Sequence, residues 1–221
     1  MLILLSGCST LPNQKDESLS VIRTALREVV QTASERIEAN MHSQMTLTTL
    51  IPPSSSSLLD QNQIPRLEEH LELWSKQVIT AFRVATIAMP GLLGPHMEKL
   101  EIEDPRAVMR ESDSSATALL LAANGEDIEV EVRLMLEEGL LVSEQTWEML
   151  TDRYAIWSRS KELLGEESLP ALDSSPMDHL IKVFLSAYLG ELANEELYLR
   201  TTPVFQGTGS LYEILNNKVQ K

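Results

Sequence analysis

Apolar residues recur at three- and four-residue steps along most of the chain, as expected of helices that each bury one face. Leu19, Ile22, Leu26, Val29, Ala33 and Ile37 form the first such stripe. Leu67, Leu71, Trp74, Val78, Ala81 and Ala85 form a second, and Trp147, Leu150, Tyr154 and Trp157 mark another, opened by Ser143 with acids in its first turn. The broadest stripe is Leu180, Ile181, Phe184, Leu185, Tyr188, Leu189 and Leu192, introduced by Ser175-Pro176-Met177-Asp178, a capping box with proline at the first helical position. One segment is ambiguous: Ile128, Val130, Val132, Leu134 and Leu136 alternate with polar residues, which alone fits a strand. A lone strand has nothing to pair with, and Met135, Leu136 and Leu140 also suit a helix, so the segment is read as helical.

Proline and glycine set the expected breaks. Pro52-Pro53 and the serines Ser54 to Ser57 predict a loop over 46–63. Pro90, Gly91, Gly94 and Pro95 predict a kink or break, and Asn124-Gly125 the end of a helix or a turn. Asp104-Pro105 and Ser112-Asp113 read as helix starts, Pro203 as a stop. A short last helix is expected over 210–219, after the turn Gly207-Thr208-Gly209-Ser210. The expected fold class is all-α: a single multi-helix bundle over 19–221, with no internal repeat.

The first residues are different in kind. Leu5-Ser6-Gly7-Cys8 is similar to a bacterial lipobox, in which small residues admit the peptide to a peptidase and the thiol takes up lipid. No basic residue precedes Cys8 and the apolar run is only Met1 to Leu5, so residues 1–8 are read as a truncated lipoprotein signal with a start codon placed too far downstream. Residues 9–18 read as a flexible polar tether, and Ser9 favours the outer membrane. No other stretch is read as a membrane span.

Composition removes several function classes. Eighteen basic residues against 33 acidic ones give a net charge of −15, which argues against nucleic acid and against docking on anionic lipid. Twelve acids and four basic residues between Glu98 and Glu138 read as a solvated acidic surface, or alternatively as a cation site or a face for a basic partner. A single cysteine permits no internal disulfide. His42, His70, His96 and His179 show neither Glu-x-x-His nor paired-histidine spacing, so no metal is expected; His70 and His179 read as solvated. There is no Gly-x-Ser-x-Gly elbow, and the 207–210 turn lacks a Walker lysine, so no catalytic residue and no cofactor are expected.

Leu100-Glu101-Ile102-Glu103-Asp104-Pro105-Arg106-Ala107, then Ser112-Asp113-Ser114-Ser115-Ala116-Thr117, resemble motifs of a bacterial envelope family catalogued as domain of unknown function 4197. The ending, with Asn194-Glu195-Glu196, Arg200, Pro203, Leu211 and Leu215, and the proline at Pro90 extend the resemblance over most of 19–219. The chain departs where the family has a glycine pair, here Glu111-Ser112, and where it has an aromatic and basic cluster, here Leu119-Leu120-Leu121. The resemblance implies a helical, exported, lipid-anchored protein without an established activity. It directs attention to Asp113, Thr117, Tyr188 and Arg200 as the candidate pocket. The expectation is therefore a protein held to the periplasmic side of the outer membrane by lipid on Cys8, serving as a binding or structural module with an envelope protein partner. The alternatives are an enzyme or small-ligand carrier with an unrecognised pocket, or a cytosolic interaction protein if the leader is not functional.

Overall fold

A computed structural model describes residues 14–61, 63–104, 108 and 115–201, with the side chains of 14–18, 21 and 200 outside that set. The described residues form α-helices and one 3₁₀ helix, without a strand. The elements are α1 (Gln14–Gln44), α2 (Leu47–Leu50), a 3₁₀ helix (Pro53–Asp60), α3 (Leu67–Lys99), α4 (Ser115–Leu163) and α5 (Met177–Thr201). The all-α bundle read from the stripes is the architecture found.

Four long helices alternate in direction around one core. Arg23 donates to the Leu100 carbonyl and Arg27 pairs with Glu98, so the start of α1 lies beside the end of α3. Trp74 packs against Trp147 with the rings tilted and 4.9 Å between centroids, and Gly139 lies against Ala81, so α3 and α4 run antiparallel. Arg133 donates to Asp178 at 2.7 Å while Thr117 meets Glu196, which makes α4 and α5 antiparallel too. Phe82 and Phe184, 5.3 Å apart, meet across the centre. This is an up-down-up-down bundle filled by the predicted stripes: Ile22, Leu26, Val29, Ala33, Ile37, Trp74, Val78, Leu150, Phe184, Tyr188 and Leu192 are all buried.

Several expected breaks are absent. α3 runs through Pro90 and Pro95. Each proline removes one backbone hydrogen bond, but Leu93, His96 and Met97 beyond Pro90 continue the same buried face, and that burial offsets the loss. α4 likewise passes through Asn124-Gly125 without a turn. Ser143, expected to open a helix, lies inside α4 with its hydroxyl donating to the Leu140 carbonyl at 2.7 Å. The ambiguous 128–136 segment is helical. The proline- and serine-rich stretch is more ordered than a plain loop: its 3₁₀ helix starts at Pro53, and buried Ser55 accepts from the Asp173 N–H at 2.9 Å. Helix α1 begins at Gln14, so 14–18 is helix and not tether. Ser175 accepts from the Met177 N–H as a cap should, whereas Asp178 turns away to Arg133.

Helix α3 is also more apolar than the sequence reading allowed. By length and composition it could cross a membrane, with a mean hydropathy of 1.4 over its best window; 44% of that window is buried inside the bundle, where α3 packs against α1 and α4. The expected signal and tether up to residue 13, the starts at Pro105 and Ser112-Asp113, the turn at 207–210, the stop at Pro203 and the helix over 210–219 lie outside the described residues.

Candidate functional site

The last turns of α5 carry acids where the apolar stripe should continue. Tyr188, Leu192, Glu195 and Leu199 follow one another at four- and three-residue steps, and all four are buried. Glu195 therefore occupies a core position, and its neighbour Glu196 is 4% exposed. Buried carboxylates need partners, because an unpaired charge in an apolar interior costs several kcal/mol.

The two acids are partnered differently. Glu196 reaches the start of α4, where one carboxylate oxygen accepts from the Ala116 N–H at 3.0 Å and the other from the Thr117 N–H at 2.8 Å. A carboxylate at a helix N-terminus satisfies amides that have no partner within the helix and also meets the positive end of the helix dipole. A residue 80 positions away thus does the work of a cap. Beside it, Ser115 donates to the Val108 carbonyl.

Glu195 forms an ion pair with Arg36 of α1, whose guanidinium also lies 4.8 Å from the centre of the Tyr198 ring. Arg36 is partly exposed while the Glu195 side chain is fully buried. Its second oxygen, Oε2, has no hydrogen-bond partner among the described residues. Burial pushes the Glu195 carboxyl above the usual range, and nearby Glu191 adds to this; Arg36 opposes it without cancelling it.

Two turns earlier, the Tyr188 hydroxyl lies 2.7 Å from the Ser34 hydroxyl, which donates to the Val30 carbonyl. Burial pushes the Tyr188 phenol up to about 12, against a smaller opposing effect of the Ser34 hydrogen bond. The Ser34 hydroxyl is thus engaged with the Val30 carbonyl and the Tyr188 hydroxyl, which ties α5 to α1.

Of the four residues singled out from the sequence, Thr117 and Tyr188 are both buried, and the start of α4 does meet the end of α5. They serve different contacts: Thr117 binds Glu196 through its backbone, and Tyr188 turns to α1. The Thr117 hydroxyl itself has no partner among the described residues. Asp113 and the Arg200 side chain lie outside the described residues, as does Cys8. Glu195, Arg36 and Ser34 were missed, although an acid seven residues after Tyr188 on an apolar stripe was a readable signal.

The histidines are dispersed. His96 is buried, with Nε2 3.4 Å from Glu131, and His179 donates to the Thr49 carbonyl at 2.9 Å. Among the described residues no three His, Cys, Asp or Glu side chains come together in a way that could hold a metal. Among the described residues a concavity of about 650 Å³, lined by Leu58, Gln61, Ile64, Arg66, Glu68 and Leu71 among others, lies between α2, the 3₁₀ helix and the start of α3 and takes no residue from α5. The polar groups at the end of α5 therefore hold three helices together. No protein-family model, no curated protein and no solved structure matches this chain.

Proposed function

We propose that this chain is a lipid-anchored envelope protein whose helical bundle faces the periplasm and serves as a binding or structural module. One observation carries the reading of the body: the buried Glu196 carboxylate accepts from the backbone amides of Ala116 and Thr117 and so ties the end of α5 to the start of α4. A carboxylate that caps a helix serves the packing of the bundle, which supports a binding or structural module. The address rests on Leu5-Ser6-Gly7-Cys8, with lipid on Cys8 as the membrane attachment and Ser9 favouring the outer membrane. The resemblance to the domain of unknown function 4197 family agrees with both. A net charge of −15 suits an envelope protein as partner better than nucleic acid. The test is palmitate labelling of cells carrying the gene with its upstream codons, as wild type and as Cys8→Ala. Label on the wild type alone supports the anchor. Label on both forms, or on neither, overturns it.

A further inference from the structure

The outward face of α4 carries a second apolar series. Leu134, Leu141, Met149, Ile156 and Leu163 follow at steps of seven, eight, seven and seven residues, and they are 62%, 57%, 48%, 69% and 84% exposed. A heptad-like spacing on one helix is the pattern by which two helices pack lengthwise. The intervening seam positions, three or four residues after each of the first four, are Glu138, Gln145, Asp152 and Arg159. All four are exposed, and none makes a hydrogen bond or ion pair among the described residues.

The order of these nine residues is complementary to itself when reversed. Laid antiparallel about a two-fold axis beside Met149, the helix places Leu134 opposite Leu163 and Leu141 opposite Ile156. The same register sets Glu138 opposite Arg159 and Gln145 opposite Asp152. Every apolar position meets an apolar one and each charged or amide position meets a suitable partner, twice over by symmetry. A parallel pairing in register would set Glu138 against Glu138 and Asp152 against Asp152. The seam is about 45 Å long at 1.5 Å per residue. With a helix footprint about 10–12 Å wide, two copies together cover about 1,000 Å², the lower edge of a specific interface. Leu73, Val84 and Ile87 on the outward side of α3, the neighbour of α4, add further exposed apolar surface.

We propose that α4 is an isologous dimerisation surface, and that its occupant is the α4 helix of a second copy of this chain, lying antiparallel. The proposal does not depend on the lipid anchor or on the envelope location. It is tested with the full chain carrying Cys8→Ser, by sedimentation equilibrium from about 1 to 200 μM. The wild-type seam is expected to give a monomer–dimer equilibrium. Glu138→Arg and Arg159→Glu each put like charges opposite one another at both ends, and each is expected to weaken dimerisation about ten-fold or more. The double variant Glu138→Arg/Arg159→Glu restores complementarity and is expected to recover most of the loss. Both substitutions are on exposed positions, and circular dichroism checks that helix content is kept in all three variants. Monomer throughout the range overturns the proposal. So does a dimer indifferent to the single charge reversals, or a double variant as weak as the worse single one; these results would assign the face to another partner or to this chain's own remaining segments.

Discussion

Removing the Glu196 carboxylate should loosen the start of α4, and the structure sets the size of the effect. The side chain accepts two backbone N–H bonds, from Ala116 and Thr117, at a position 4% exposed. Hydrogen bonds to a charged acceptor contribute about 1.5–3 kcal/mol each, and a charge at a helix N-terminus adds up to about 2 kcal/mol when partly buried. These terms overlap, and water entering a truncated site recovers part of the loss. Glu196→Ala is therefore expected to cost about 3 kcal/mol, a large share of the 5–15 kcal/mol typical of a folded domain. Glu196→Gln keeps an acceptor oxygen and gives up the charge, so about half that loss is expected. Urea unfolding followed by circular dichroism measures both, and the slope with denaturant should stay unchanged. Amide exchange at Ala116 and Thr117 should accelerate selectively in the Ala variant. A Glu196→Ala protein within about 1 kcal/mol of wild type, with the same slope and the same exchange at those amides, refutes the capping argument.

Two further outcomes follow from the same packing. The Glu195 carboxyl titrates above its ordinary value of 4.5 in the folded chain, so its contribution to stability is complete below that value and is lost as pH rises through the higher folded one. The stability difference between wild type and Glu195→Gln should accordingly drift against the wild type from about pH 4.5 upward; a difference flat with pH would show that burial does not control this group. Gly125 lies inside α4 and a β-carbon there would meet nothing within 4 Å, so Gly125→Ala should stabilise by about 0.5–1 kcal/mol in thermal unfolding, and a loss would mean that the glycine has a role in the bend or packing of α4.

The bundle was legible because its core stripes are long and regular: every residue of the Leu67 to Ala85 series is buried. The breaks were not, because proline, Asn-Gly and serine act on one or two hydrogen bonds while a stripe acts through many buried side chains. Pro90 and Gly125 each weaken a helix by about 1–3 kcal/mol, and neither interrupts the buried positions on either side, so the helix continues. At the site, proximity was readable and partnership was not. The family resemblance suggested that the segment around Thr117 and the end of α5 belong together. It could not show that Glu196 caps a helix 80 positions earlier, since the cap residue and the capped helix share no local pattern.

The apparent strand at 128–136 shows how one helix can hide two surfaces. Ile128, Val132 and Leu136 are four apart and face the core, at 2%, 0% and 1% exposure. Val130 and Leu134 are also four apart and face outward, at 56% and 62%. Two four-residue series offset by two positions add up to an alternation of period two, the pattern of a half-buried strand. Among the described residues the outer series adds little to the packing of the bundle, and leaving it exposed costs solubility without adding stability. Its persistence from Leu134 to Leu163, with matched polar residues between, is what a lengthwise helical contact requires and what an incidental scatter of surface leucines lacks.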